Sequence, residues 1–262
     1  CHYCGYATNI CNCPNCHEDA LRNLGVGTER IEEELHKILD VRVVRMDYDT
    51  TTKKGSHEKI INDFRDHKYD ILLGTQVVSK GLDFPLVTLV GVINADTSLN
   101  IPDFRSSERT FELLTQVAGR AGRSNKLGEV IIQGFNIDHY SIICASKHDY
   151  KSFYNYELNI RKKLKYSPYY NLCIIKIKGK DFDKCMDIGD KIITYLKNAN
   201  MDNTYIFGPS AAAIPKINNI FHVQIMIKFK HTDVLKSHLN YINNLYLKSN
   251  IKVECDINPI RI

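Results

Sequence analysis

The segment spanning residues 74–85 combines glycines with side chains that donate hydrogen bonds. Its donors are Thr75, Gln76, Ser79 and Lys80. Glycine lets the backbone approach a ligand closely, and hydroxyl, amide and ammonium groups suit phosphate oxygens. The segment follows an apolar run typical of a strand, so we expect it to contact phosphate groups where that strand ends.

A second segment, residues 116–123, ends an amphipathic helix with the sequence Gln-Val-Ala-Gly-Arg-Ala-Gly-Arg. Arg120 and Arg123 each follow a glycine, and a guanidinium group can bind two phosphate oxygens at once. A glycine cap with one arginine near the helix end would explain a single Gly-Arg pair without any ligand. The repeated pair goes beyond that explanation and indicates phosphate binding.

Five of the nine cysteines lie in the first 16 residues and include two Cys-x-x-Cys pairs, Cys1 with Cys4 and Cys13 with Cys16. Two such pairs can supply four thiolates to one tetrahedral Zn²⁺, and this spacing is typical of structural zinc sites. A thioredoxin-like redox site is the weaker alternative, because no helix pattern follows the pairs. Cys11 is a fifth thiol without a predicted role. The remaining cysteines are expected to be small core residues: Cys144, Cys173, Cys185 and Cys255.

The 262-residue chain is 44% hydrophobic and 25% charged, which is ordinary for a soluble globular protein and excludes collagen-like and disordered classes. It has no apolar run long enough to span a membrane and no visible signal peptide, and its cysteine pattern suits a reducing compartment. We therefore expect a cytoplasmic protein.

Residues 1–150 carry a net charge of −4 and residues 151–262 a net charge of +9. This asymmetry suggests two domains, the second facing nucleic acid, although a solvated lysine-rich surface would give the same balance.

In the first part of the chain, predicted strands alternate with predicted helices. Thr28 is expected to be the N-cap of a helix over residues 28–39. The other predicted elements are strands at residues 42–46, 70–73, 86–93 and 129–133, a helix after Ser56 and a long helix over residues 107–118. The strand at 86–93 is continuously apolar and is expected to be buried on both faces. This alternation predicts an α/β fold with a parallel sheet, in which ligands bind at the carboxyl ends of strands.

Residues 149–170 are predicted to form a linker helix, and residues 171–262 a basic α+β domain. Its predicted strands lie at residues 172–178, 204–207, 221–229 and 251–257, with a loop at 208–219 and helices after the first and third strands. The order βαββαβ is that of a ferredoxin-like unit with helices on one face. The outward-facing basic residues expected to contact a nucleic-acid backbone are His222, Lys228 and Lys230, with Lys216 in the loop. A solvated edge is the alternative.

The two glycine-containing segments resemble motifs V and VI of superfamily 2 helicases, in which a Q-x-x-G-R-x-G-R signature supplies arginines to the ATP phosphates. Further stretches along the whole chain resemble the primosomal replication-restart helicases of the PriA family. These stretches are CHYCGY, CPNC, GVGTERIEEEL, MDYDTT, KGSHE, DILLGTQVVSKGLDFPLVTLVGVINAD, IPDFRSSERTFELLTQVAGRAGR, GEVIIQGFN, DYKSFYNYE, YSPYYNL, FGPSAAAI and DINP. Together they are highly specific.

The resemblance implies an ATP-driven 3′-to-5′ DNA helicase that restarts replication by recognising stalled or branched forks and assembling the primosome. Its expected parts are a partial zinc module at residues 1–20, a second RecA-like helicase lobe at 21–148, the linker helix and a carboxyl-terminal DNA-contacting domain. The complete protein would use ATP with Mg²⁺ and would bind Zn²⁺. Its expected partners are branched or single-stranded DNA, single-stranded-DNA-binding protein and primosome proteins, and no membrane.

By the same resemblance, Arg123 is the expected arginine finger, Arg120 a second phosphate contact and Gln116 the group that positions the nucleotide or the attacking water. Gly81 and Asp83 would face the nucleotide cleft. The expected DNA-backbone contacts of this lobe are Thr75, Gln76 and Lys80. PriA-like zinc modules interleave four Cys-x-x-Cys pairs around two zinc ions, which implies an upstream partner for each pair here. Without those partners the chain could close one four-cysteine site, leave the loop unliganded or oxidise.

The sequence also departs from that of a complete helicase. It contains no G-x-x-x-x-G-K-[ST] phosphate loop and no Asp-Glu pair ending an apolar strand. We therefore expect the chain, which begins at Cys1 rather than Met, to be part of a longer protein and inactive as an ATPase alone. The competing hypothesis is a non-catalytic, zinc-containing nucleic-acid-binding module. A helicase of the RecG or RecQ type is disfavoured because the cysteine pairs lie upstream of GVGTE.

Overall fold

The computed structural model describes residues 12, 16–18, 27–47, 50–52, 55–75, 84–119, 121, 128–247 and 249–260. The chain divides into two compact units. The first is formed by residues 10–100 and 106–153, and the second mainly by residues 154–262 with residues 101–105. Among the helices described, none is both long enough and apolar enough to cross a membrane.

The first half of the first unit is built around a pair of short parallel strands. Its elements are helix α1 (Thr28–Ile38), strand β1 (Val43–Met46), helix α2 (Ser56–Arg65) and strand β2 (Ile71–Gly74). Strands β1 and β2 are hydrogen-bonded in register from Val43 opposite Ile71 to Met46 opposite Gly74. The carboxyl ends of both strands therefore lie at the same edge.

The second half of this unit repeats the arrangement with a second parallel pair. Its elements are strand β3 (Leu89–Val92), a 3₁₀ turn (Ala95–Thr97), helix α3 (Ser106–Ala118), strand β4 (Glu129–Ile132) and helix α4 (Tyr140–Ser146). Strands β3 and β4 pair in parallel. The buried apolar cluster beneath them comprises Ala95, Phe111, Leu114, Ile142, Cys144, Ala145 and Phe153.

The predicted burial of the third strand on both faces is wrong. Strand β3 is four residues long, and its side chains alternate between exposed and half-buried. Leu89 on β3 and Ile131 on β4 share one face of the pair and are 57% and 54% exposed, while Val92 and Ile132 pack on the buried cluster. Continuous apolarity in the sequence does not specify which face has a neighbour, and here only one face is covered among the residues described.

The second unit consists of a four-stranded antiparallel sheet with two helices on one face. After helix α5 (Tyr150–Leu164) come strand β5 (Asn171–Gly179), helix α6 (Phe182–Asn198), strand β6 (Tyr205–Ile217), strand β7 (Ile220–Phe229), helix α7 (Thr232–Tyr246) and strand β8 (Lys252–Ile257). The strand order across the sheet is β6-β7-β5-β8. This is the βαββαβ order that the sequence pattern predicts.

The helix-covered face of this sheet is the largest apolar core in the part of the chain described. Alternate residues of β7 point into it, and Val223, Ile225 and Ile227 are almost completely buried. Each such side chain contributes roughly 1.5–3 kcal/mol by leaving water. The strict alternation of the sequence over residues 221–229 therefore identified the buried face correctly.

The predicted loop at residues 208–219 is wrong, because most of it belongs to β6. The ladder between β6 and β7 continues to Ile217 opposite Ile220, with irregular register after Phe207 and after Ala211. Gly208 has a φ of +106°, and a Cβ there would lie 2.9 Å from the carbonyl oxygen of Gln224. The Gly-Pro-Ser sequence therefore marks a bulge within a strand rather than its end. Lys216 accordingly lies on a strand.

On the opposite face, lysines of β5 are paired with carboxylates of β8. The Lys176 ammonium lies 2.9 Å from a carboxylate oxygen of Asp256, and Lys178 pairs with Glu254. Hydrogen bonds from Lys178 and Lys252 lower the pKa of Glu254 to about 2. This half of the face is therefore close to electrically neutral, and the positive charge of the face is concentrated toward β6 and β7.

Candidate functional site

Two polar residues that are far apart in the sequence lie side by side at the carboxyl edge of β1 and β2. Because Met46 lies opposite Gly74, Asp47 and Thr75 both follow at this edge. Thr75 is exposed, and Asp47 is buried. In parallel α/β units this edge is where ligands bind, so Thr75 stands where a DNA-backbone contact of the lobe was expected.

Asp47 organises this edge, although it was not among the residues predicted for the site. Its carboxylate accepts hydrogen bonds from the Thr28 hydroxyl at 2.7 Å and the Thr50 amide at 3.0 Å, and the Arg45 guanidinium lies 3.0 Å away. Burial favours a higher pKa for Asp47, but the hydrogen bonds from Thr28 and Thr50 and the Arg45 charge outweigh it and hold the pKa below its ordinary value. The predicted N-cap role of Thr28 is wrong: Gly27 occupies the N-cap position, and the Thr28 hydroxyl binds Asp47 instead.

A second buried carboxylate joins the carboxyl ends of β3 and β4. Asp96 is 5% exposed and accepts hydrogen bonds from the backbone amides of Phe135 and Asn136, the latter at 2.9 Å. A Cβ on Gly134 would lie 2.6 Å from an Asp96 carboxylate oxygen, so the close approach requires glycine at that position. Asp96 therefore fixes the segment after β4 against the turn after β3.

Helix α3 presents the first residue of the predicted arginine segment. Phe111 and Leu114 anchor the helix in the buried cluster, while Gln116 in its last turn is exposed. The Gly119 amide donates to the Thr115 carbonyl at 3.1 Å, which continues the helical hydrogen bonding to the segment. Several predicted site residues lie outside the described residues: Gln76, Lys80, Gly81, Asp83, Arg120 and Arg123.

Of the four predicted zinc ligands, the structure describes only Cys16, which is exposed. Cys1, Cys4 and Cys13 lie outside the described residues. Within the described ranges, no group of three or more His, Cys, Asp or Glu side chains could hold a metal ion. Of the four cysteines predicted to be core residues, Cys144, Cys173 and Cys185 are buried, whereas Cys255 is half-buried and packs against the core of the second unit.

In the second unit, the predicted exposure of Lys228 is wrong. Lys228 is only 8% exposed, because the end of the linker covers it. Its ammonium donates to the Leu164 carbonyl at 2.8 Å and lies 3.5 Å from the centre of the Tyr166 ring. Burial lowers the pKa of Lys228, assisted by the nearby Lys165 charge. The cation therefore caps the carboxyl end of α5, where a positive charge is favourable.

Around Lys228, basic and aromatic side chains alternate on the face opposite the helices. The Lys165 ammonium lies 3.2 Å from the centre of the Tyr205 ring and lowers the pKa of the Tyr205 hydroxyl by hydrogen bonding. Lys230 is exposed, with its ammonium 5.3 Å from the Tyr170 ring centre. Half-buried Lys216 does not belong to this face: it lies opposite Phe221 in the ladder, on the helix-covered side, with its ammonium 4.8 Å from that ring. The face around Lys228 therefore offers positive charge and flat apolar surface together, a combination that suits the phosphates and bases of nucleic acids.

Comparison with known protein families matches both units. Residues 24–125 match the helicase conserved C-terminal domain, and residues 162–260 match the primosomal protein N C-terminal domain. Over 99% of its length the chain is 46% identical to the replication restart protein PriA of Bacillus subtilis. The chain belongs to the PriA family. It is 35% identical to the PriA of Synechocystis and 36% identical to that of Chlamydia pneumoniae, again over almost its whole length.

The chain spans about a third of the length of these PriA relatives: 33% of the Bacillus protein, 32% of the Synechocystis protein and 35% of the Chlamydia protein. The helicase match covers the first unit from before α1 to beyond α3, and the primosomal match begins near the end of α5 and continues through β8. The basic, aromatic face around Lys228 therefore belongs to the part of the chain that matches the primosomal protein N C-terminal domain, not to the part that matches the helicase domain.

Proposed function

We propose that the chain is the carboxyl-terminal portion of an ATP-dependent 3′-to-5′ DNA helicase that restarts replication at stalled or branched forks and assembles the primosome. The succession of a helicase domain and a primosomal domain in one chain, in the order found in PriA relatives, carries this proposal. The proposed partners are branched or single-stranded DNA, single-stranded-DNA-binding protein and primosome proteins. The cytoplasm is the proposed location.

The first unit would serve as the second motor lobe. Arg123 would meet the charge that develops on the γ-phosphate of ATP with Mg²⁺, Arg120 would bind a second phosphate oxygen, and Gln116 would position the nucleotide or water. The exposure of Gln116 at the end of an anchored helix suits this role. Gly81 and Asp83 would face the nucleotide. The proposed DNA-backbone contacts of the lobe are Thr75, Gln76 and Lys80.

The amino-terminal cysteines would hold Zn²⁺ in the complete protein. Two Cys-x-x-Cys pairs provide thiolates, the ligands that structural zinc sites use. Following the PriA pattern, Cys1 with Cys4 and Cys13 with Cys16 would each complete a site with a pair from another segment. A non-catalytic zinc-containing nucleic-acid-binding module is the competing function, and the ATPase rate after replacement of Arg123 separates it from a motor.

We expect the 262-residue chain alone to hydrolyse no ATP above background, with or without DNA. The sequence contains no phosphate loop with the lysine and hydroxyl that would hold the β- and γ-phosphates and Mg²⁺. Release of phosphate from ATP, measured with and without single-stranded DNA, tests this. DNA-stimulated turnover by the chain alone would contradict the division of the motor between this chain and a separate lobe.

If lysines of the second unit contact the DNA backbone, the affinity of the chain for DNA should fall steeply as the salt concentration rises. We expect Lys230→Ala to weaken single-stranded and duplex DNA alike and to reduce the slope of log affinity against log salt concentration by about 1. Fluorescence anisotropy over a salt series measures that slope. Lys236→Ala, on exposed helix α7, is the matched control and should leave the slope unchanged. Equal slopes for Lys230→Ala and the unmodified chain would remove Lys230 from the interface.

A further inference from the structure

The face of the second unit opposite its helices contains a pocket of about 260 Å³ between the linker and strands β6 and β7. Its lining residues are Tyr166, Phe207, Gly208, Ser210, Gln224, Met226 and Lys228. Phe207 lies directly opposite Met226 in the ladder, so both side chains point to this face. Phe207 is 50% exposed, which leaves ring surface available to a ligand.

The back wall of the pocket is held in place by contacts on the linker side. The Tyr166 ring stacks on Phe104 with ring centres 4.6 Å apart and planes 8° from parallel. The Lys228 ammonium lies 3.5 Å from the Tyr166 ring centre and 5.4 Å from that of Phe207. Tyr166 is therefore already engaged, and Phe207 is the aromatic surface free to stack.

The remaining lining suits the edge of a flat polar ligand. Gly208 contributes no side chain, because a Cβ there would lie 2.9 Å from the Gln224 carbonyl oxygen. The Gln224 amide and the Ser210 hydroxyl flank this opening, and each offers both donor and acceptor atoms. Neither side chain hydrogen-bonds to another residue within the described ranges, so both can serve a ligand. Positive charge from Lys165 and Lys230 lies on the same side of the unit.

We propose that this pocket binds one unpaired nucleobase, which stacks on Phe207. The side chains of Gln224 and Ser210 bind the edge of the base. Lys165 and Lys230 hold the phosphates on either side of that nucleotide. A base inside a duplex has both faces stacked on its neighbours, so apart from the terminal pair only an unpaired base can offer a face to Phe207. Aromatic side chains on a four-stranded sheet recognise single strands in this way in RRM domains. The proposal rests on the DNA contact in the proposed function and adds a preference for single strands.

The absence of tryptophan from the sequence allows a direct test. Phe207→Trp introduces a single indole, whose fluorescence should be quenched when a short oligothymidylate stacks on it. Tyr241→Trp on α7 is the matched control, because Tyr241 is also 50% exposed and lies on a helix on the other face. Quenching at position 207 alone supports the pocket. Absence of quenching at 207 while DNA binds, or equal quenching at both positions, overturns it.

Affinities of the full 262-residue chain give the second measurement. Phe207→Ala should weaken binding of the oligothymidylate by about 5- to 150-fold and leave a blunt duplex of the same length unaffected. Phe207→Leu, which keeps apolar volume and loses the flat ring, should behave similarly and shows that the loss is not one of folding. If the Phe207 variants lose the same affinity for both DNAs, or lose none for either, the base pocket is overturned while the proposed DNA contact stands. If the unmodified chain binds neither DNA, the proposed DNA contact fails with it.

Discussion

Replacing Arg123 by Ala is expected to lower the DNA-stimulated ATPase rate by about 10³- to 10⁵-fold when this chain is joined to a phosphate-loop lobe. A guanidinium group aimed at the transferring phosphate stabilises charge that exists only in the transition state, so its removal lowers turnover more than nucleotide affinity. Steady-state phosphate release gives the rate, and binding of a non-hydrolysable ATP analogue gives the affinity.

Two controls make the Arg123 result specific. Arg65→Ala removes an exposed guanidinium at the end of α2 and should leave the rate unchanged. DNA affinity of the Arg123→Ala protein should stay close to that of the unmodified protein, because the proposed DNA contacts lie in other segments. A full ATPase rate after loss of Arg123 would remove the motor function and favour the non-catalytic binding module.

Replacing Asp96 by Ala should lower the free energy of unfolding of the first unit by about 3–5 kcal/mol. The substitution removes the charged acceptor, itself buried, of the Phe135 and Asn136 amides, and hydrogen bonds to a charged group are worth roughly 1.5–3 kcal/mol each. Denaturant unfolding of the 262-residue chain measures the loss. Asp138→Ala, an exposed carboxylate in the same segment, should change the free energy by less than about 0.5 kcal/mol.

The close contact between Asp96 and Gly134 allows a second test of the role of Asp96. Gly134→Ala alone forces a methyl group to within 2.6 Å of the Asp96 carboxylate and should be strongly destabilising. Combined with Asp96→Ala, the same methyl group gains room, so the two losses should be less than additive. Two results would show that the Asp96 carboxylate does not hold the two segments together. One is a double variant whose loss of unfolding free energy equals the sum of the two single losses. The other is an Asp96→Ala loss no larger than that of Asp138→Ala.

Sequence patterns identified the elements of the second unit well where one face is buried against helices. Alternation over β7 assigned Val223, Ile225 and Ile227 to the core, since a strand that packs on one side must repeat its apolar residues at every second position. The same alternation placed Lys228 on the other face correctly. It could not show that the linker covers that face, because the covering residues Leu164 and Tyr166 lie more than 60 positions away in the chain.

For a related reason, sequence patterns did not predict the roles of the two carboxylates that organise the first unit. Asp47 and Asp96 sit in short polar turns after strands, where aspartate is common whether or not it binds anything. Their partners lie far along the chain, at Thr28 for one and at the amides of Phe135 and Asn136 for the other. Only the assembled strand ends bring these groups together, so local residue types carry no signal for them.

The buried thiols of the core have a practical consequence for labelling chemistry. Burial raises the pKa of Cys173 to about 12 and also raises the pKa values of Cys144 and Cys185, whereas Cys16 is exposed. Only the thiolate form attacks alkylating reagents, so these three side chains stay unmodified for as long as the native packing persists. A maleimide or iodoacetamide pulse therefore reports unfolding of each unit separately, through Cys144 in the first and Cys173 and Cys185 in the second.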